Sequence, residues 1–223
     1  MSSQLDALCV AAHDPGRLAT FWGELLEPDD TGFALRFRPT VEPKTRQNRS
    51  HLDLRSAEPG DQELTVSKAL RLGARHIDLG QRPEEGHVVL ADPEGNEFCV
   101  LEDGNSFVAD CGFVGSVACD GSQTVGYFWH EALGWPLVWD QDQETAIQSP
   151  HGGPKLTWGG PPYAAKTEQR NRLHFDLLCP GDLRAEVARL VSLGAHRLAD
   201  HGERVELTDP DGNEFCLLEG PAS

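Results

Sequence analysis

The chain has 223 residues, 39% hydrophobic and 25% charged, and its 36 Asp plus Glu against 19 Lys plus Arg give a formal net charge of -17. That balance belongs to a globular chain with a packed core, and the negative field disfavours nucleic acid and anionic membranes as partners. The apolar run in the N-terminal MSSQLDALCVAAHD is too short for a span or a secretory leader, and the six cysteines (Cys9, Cys99, Cys111, Cys119, Cys179, Cys216) form no CxxC pair, so a reducing, cytoplasmic setting is expected.

In chain order, LDALCVAA reads as a strand, and Asp14 with Pro15 suits a helix N-cap and first helical position. Leu18, Phe21, Trp22, Leu25 and Leu26 then form an apolar helical stripe, and residues 27–32 break it. FALRFR (33–38) alternates as a strand, PTVEPKTRQNR reads as a polar loop, and HLDL from His51 is a second short strand. Val66, Ala69 and Leu70 set a helical stripe that ends at Gly73, followed by strands at 75–79 and 87–91.

Asp92 to Glu102, DPEGNEFCVLE, then recurs as DPDGNEFCLLE from Asp209 to Glu219, so the chain is a tandem repeat whose DPxGN segments are hairpin turns. Residues 104–107 read as a linker between a first domain (1–103) and a second (108–223). The second half replays the order. FVGSVAC is a strand, Val125, Phe128, Trp129, Ala132 and Leu133 share a helix face, and PLVWDQ, ETAIQSP and KLTWGG form a meander that the first half shortens to one strand. PPYAAKTEQRNR and HFDL answer the earlier loop and HLDL, and Leu183, Val187, Leu190 and Val191 face one way along a helix ending at Gly194. The fold class is α+β, two βαβββ units in each half.

These motifs (a DP-opened helix carrying FW, NRxHxDL, the helix-ending LGA of LRLGA and RLVSLGA, and DPxGNEFCxLE) resemble the vicinal oxygen chelate superfamily, in particular its tandem glyoxalase-like and bleomycin-resistance-like members. The resemblance implies that the two units of each half pair into a curved mixed sheet around a concave pocket. It also implies metal ligands on the first and last strands of units. Counted from Asp14 and Asp120, the first-strand positions fall on Ala7 and Phe113, which cannot bind metal; others fall on His51 and His174, which can, and on Cys99 and Cys216 where the family carries glutamate. No cofactor is expected on that count, although a divalent metal stays open.

Strand parity places Arg49, His51 and Asp53 on the face opposite Leu52 and Leu54, and Glu97 and Cys99 opposite Phe98 and Val100. The second half repeats this with Arg172, His174, Asp176, Glu214 and Cys216. Such a face suits ligand recognition, with His51 and His174 as candidate proton-transfer groups and Trp139 and Trp158 as candidate cavity walls. The alternative is a structural network in which Arg49 pairs Asp53 and Arg172 pairs Asp176, while Lys44 and Lys166 stay solvated. Two functions remain open: a protein that binds a small, partly apolar organic molecule without a tightly held metal, or a lyase, isomerase or ring-modifying enzyme using His51 or His174. A homodimer is also open.

Overall fold

A computed structural model describes residues 2–26, 31–82, 84–161, 163 and 166–220; the break read over 27–32 falls largely outside them, as does part of the loop before HFDL. The first half runs β1 (Gln4–Ala12), α1 (Pro15–Leu25), β2 (Ala34–Pro39), β3 (Ser50–Ser56), α2 (Asp61–Leu72), β4 (Arg75–His76), β5 (Val88–Ala91) and β6 (Glu97–Asp103). After a 3-10 turn at Ser106–Val108 come β7 (Val114–Cys119), α3 (Gln123–Leu133), β8 (Leu137–Gln141), β9 (Glu144–Gln148) and β10 (Lys155–Trp158). The last unit is β11 (Leu173–Cys179), α4 (Leu183–Ser192), β12 (His196–Asp200), β13 (Arg204–Thr208) and β14 (Glu214–Glu219). The class is α+β, and among the described residues the first unit shows only β2 of its meander. Among the described residues, no helix is long and apolar enough to cross a membrane.

The helices form where capping chemistry and apolar spacing coincide. Asp14 accepts from the Arg17 amide with Pro15 at the start of α1, whose Leu18, Phe21, Trp22 and Leu25 are all buried. Asp14→Ala should therefore cost about 1 kcal/mol in thermal unfolding, with no loss marking the cap as dispensable. Gly73 closes α2 at φ 109, where a side chain would be strained. Three expectations need correction. Leu70 and Val191 are exposed, because α2 turns Thr65 and Ala69 inward and α4 turns Val187 and Leu190. The strand read over 75–79 is only the two residues of β4, and α3 is capped from Ser122, two residues beyond Asp120.

The strands form two sheets, one of six in the order β12-β13-β14-β11-β1-β2 and one of eight in the order β4-β5-β6-β3-β7-β10-β9-β8. Each holds two paired units, but not the two of one half: the first unit pairs with the fourth through antiparallel β1 and β11, and the second pairs with the third through β3 and β7. This corrects the expectation that each half pairs its own units. Alternation specifies which face of a strand is buried, and the four first strands carry the same pattern, so the pairing partner is left to tertiary packing.

The repeated turn is where the halves lock together. Asp92 and Asp209, both buried, accept from the indoles of Trp22 and Trp129 at 3.3 Å and from the amides of their own turns, which Gly95 and Gly212 close at φ 86 and 82. Burial raises both carboxyls, Asp209 to about 6, against the pull of these donors. Each turn then reaches across: Glu94 pairs with Arg172 at 3.0 Å, and Asn213 accepts from Arg49 Nε at 2.7 Å. Phe98 and Phe215 pack in the core beneath, edge-on to Trp22 and to Trp129.

Candidate functional site

In the six-stranded sheet, register brings one face of four neighbouring strands together: Arg36 lies beside Cys9, Cys9 beside His174, and Asp176 beside Cys216. The Cys9 thiol donates to Asp176 Oδ2 at 3.0 Å, His174 Nε2 sits 3.4 Å from Asp176 Oδ1, and Arg204 Nη2 donates to Cys216 Sγ at 2.9 Å. The His174 contact is an ion-pair distance and not a hydrogen bond, so buried Asp176 Oδ1 has no hydrogen-bond partner among the described residues. Guanidinium groups of Arg36 and Arg38 each lie 3.8 Å from Asp176 Oδ2. Burial opposes charge on both partners, yet their attraction, with the Cys9 and Cys216 sulfurs, holds His174 up at about 11 and Asp176 down at about 2. Of these groups His174, Arg204 and Cys216 line a cavity of about 280 Å³, together with Ala11, Pro39 and Pro43.

The eight-stranded sheet carries the related arrangement with different chemistry. His51 Nε2 lies 3.3 Å from Asp53 Oδ1, Ser116 Oγ donates to Asp53 Oδ2 at 2.5 Å, and Cys99 stands beside Asp53 on the next strand. Burial works against the His51 cation, but contact with Asp53 and Cys99 raises it well above 6.5; burial also raises the Cys99 thiol. The cavity here, about 270 Å³, is walled by Leu79, Gln81, Glu85, His87, Val89 and Cys99, with no arginine or lysine among the described residues.

The structure thus gathers His51, Asp53 and Cys99 at one site and His174, Asp176 and Cys216 at the other. It separates the rest. Arg49 is buried against Asn213, and Arg172, although in the cavity wall, is committed to Glu94; among the described residues neither pairs with the aspartate four residues on. Glu97 and Glu214 edge the two cavities, but they hold Lys44 and Lys166 in ion pairs; these lysines are not solvated as expected. Trp158 is 1% exposed and stacks on Trp129 in the core, while Trp139 lies on the outermost strand β8 against Phe107; neither lines these cavities. Phe113 precedes β7, and the residue facing Asp53 is Ser116, because the N-cap of α3 is Ser122 and not Asp120, from which the strand position was counted.

Cys9, Arg36, Arg38 and Arg204 were not read as site residues from sequence. The arginines of FALRFR carried a usable signal, since two charges alternating with Leu35 and Phe37 must share the face away from the core. Cys9 and Arg204 carried none, because only strand pairing sets them beside Asp176 and Cys216.

Comparison with known proteins agrees with this architecture. A family model described as glyoxalase-like domain matches residues 7–101 and again 115–218. The chain belongs to the glyoxalase-like domain family. Among solved structures, this glyoxalase-like chain is similar to glyoxalase I from Zea mays, at 13% identity and TM-score 0.63 over 98% of this chain and 92% of the maize chain. Two mutants of the maize enzyme match at 14% identity, with TM-scores of 0.64 and 0.67, covering 98% of this chain and 92% and 94% of theirs. At such identity the likeness is one of fold. No curated protein matches the sequence.

The metal implied by this superfamily meets two different settings. Cys9, His174 and Asp176 bring donor atoms within 4.8 Å of one another, as do His51, Asp53 and Cys99, so each site has an aspartate donor that the sequence count omitted. In the six-stranded sheet the donors do not suit a divalent cation: two guanidinium groups and an imidazolium already surround Asp176, and a third guanidinium holds Cys216. In the eight-stranded sheet no such cation competes. His51, Asp53 and Cys99 suit a borderline-soft ion such as zinc, which would supply Lewis-acid polarisation there.

Proposed function

We propose that this glyoxalase-like protein binds a small, partly apolar organic molecule in the cavity of the six-stranded sheet, without a metal at that site. The observation that carries the reading is the wall of the cavity: a charged His174, ion-paired to buried Asp176 behind it, set among Ala11, Pro39 and Pro43. A few convergent polar groups in an otherwise ordinary concave surface are what orient a small ligand. Free, buried cysteines and a strongly acidic surface suit a cytoplasmic protein with no nucleic acid partner.

A second reading, a lyase or isomerase of this fold, draws on the same pair. Because His174 is held as the imidazolium, it can donate a proton or a hydrogen bond at neutral pH and cannot accept one, so such an enzyme would use it as the acid.

Saturation-transfer NMR with a mixed set of neutral and anionic single-ring fragments tests the site. Binders are expected, and Ala11→Trp, which fills the cavity without replacing its polar wall groups, should abolish them while leaving thermal unfolding unchanged. No binder from either kind of fragment would sink the reading. Elemental analysis of dialysed protein tests the metal-free clause: a stoichiometric transition metal lost in His174→Ala would overturn it, whereas one lost only in His51→Ala would belong to the other sheet.

A further inference from the structure

The two cavities occupy related places in their sheets, and strand register allows them to be compared position by position. Cys9 faces His174 as Ala118 faces His51, so Arg36 and Arg38 on β2 correspond to Thr157 and Gly159 beside β7. Glu206 faces Cys216 as Val89 faces Cys99, so Arg204 corresponds to His87. Guanidinium groups are therefore not a requirement of the fold at these positions. One sheet carries three where the other carries none.

Two of the three have bonding capacity to spare. Arg38 makes no hydrogen bond among the described residues; its nearest acid is Asp176 at 3.8 Å, and its side chain is 59% exposed. Arg204 spends one nitrogen on Cys216 and lies 3.4 Å from Glu206. Arg36, by contrast, is tied to Asp6. Arg204 is in the cavity wall and Arg38 stands at its rim, next to the wall residue Pro39; guanidinium edges left open there match a planar carboxylate in both charge and geometry. A phosphate dianion fits less well, since Glu42, Glu206 and Glu214 also edge the cavity and Asp176 stands behind His174. The volume, about 280 Å³, sits just below the usual range of ligand pockets and limits the apolar body to about one ring or a short chain.

We propose that the cavity of the six-stranded sheet is an anion site selective for a small organic carboxylate, held by Arg204 and His174 in its wall and by Arg38 at its rim, next to the wall residue Pro39. This rests on the reading of that cavity as the ligand site. The eight-stranded sheet, lacking these arginines and edged by Glu85 and Glu97, takes no such anion.

The experiment is isothermal titration of the full chain with acetate, benzoate and phenylacetate, each against its primary amide, and with phenylphosphonate. The carboxylates should bind one per chain and the amides at least roughly ten-fold more weakly; Arg38→Gln and Arg204→Gln should each weaken carboxylate binding by roughly ten- to a hundred-fold. Arg38 is exposed enough that its substitution leaves folding intact, which thermal unfolding checks. Equal binding of acids and amides, or unchanged affinity in both variants, overturns the anion site while leaving a small-molecule cavity standing. Two carboxylates per chain overturn the distinction between the sheets, and tighter binding of phenylphosphonate overturns the choice of carboxylate. If neither acids nor amides bind, both this inference and the cavity reading fail together.

Discussion

Glu94→Ala should destabilise the protein by about 3–5 kcal/mol, although Glu94 sits in a hairpin turn where substitution is usually mild. Its Oε2 accepts from Arg172 at 3.0 Å and from the His13 amide at 2.8 Å, and its Oε1 accepts from the Asp14 amide at 2.6 Å. Both charged side chains are under one-tenth exposed. Removing the carboxylate strands a buried guanidinium and frees the amides at the start of α1, which is why the cost exceeds that of a surface ion pair. Arg172→Met introduced together with Glu94→Ala should recover most of the loss, because no buried charge is then left unpaired. Denaturant unfolding of the two variants measures this; a single-variant loss under about 1 kcal/mol would mean the pair does not join the halves as described. The counterpart Asp211 bonds the Ser122 amide and hydroxyl and has no such guanidinium, so Asp211→Ala should cost clearly less.

Asp176→Asn should move the His174 titration from far above neutrality into the physiological range. In the native protein burial works against the imidazolium, and attraction to Asp176 and the two sulfurs outweighs it, giving about 11 for His174 and about 2 for Asp176. The sign follows from each shift. His174 is raised, so its stabilisation is complete below the ordinary histidine value of 6.5 and is lost only as pH rises through about 11. Asp176 is lowered, so its share is complete above 3.8 and is lost as pH falls through about 2. The pair thus contributes fully between those ordinary values and persists through neutral pH. Ring carbon and proton NMR of His174 should show no titration from pH of about 5.5 to about 8.5, and a clear midpoint in that window once Asn replaces Asp176, since burial then acts without its counterweight. A native midpoint near 6.5 would refute the ion pair.

The fold was legible for particular reasons. Leu18, Phe21, Trp22 and Leu25 repeat at helical spacing, Asp14 and Pro15 announce the start of α1, and Leu52 and Leu54 alternate against His51 and Asp53, all as found. Each of these is a local periodicity that a short segment carries by itself. The site was legible only in part. His51, Asp53, Cys99, His174, Asp176 and Cys216 were placed on the correct face by parity, but Trp158 was misjudged because a strand residue shows its face and not what covers it. Leu70 and Val191 failed similarly, being a single step round the helix from the buried positions.

The sequence by itself determined a tandem, four-unit α+β chain, the positions of its turns, the shortened first unit and the histidine, aspartate and cysteine that each site contains. Only the tertiary structure decided which unit pairs with which, and hence that Arg36, Arg38 and Cys9 meet Asp176 and Arg204 meets Cys216, while among the described residues no arginine lines the cavity beside His51. The reason is physical: side-chain alternation is written along a strand, whereas its neighbour is chosen by packing among four first strands of like pattern, and the electrostatic character of each cavity is set by that choice.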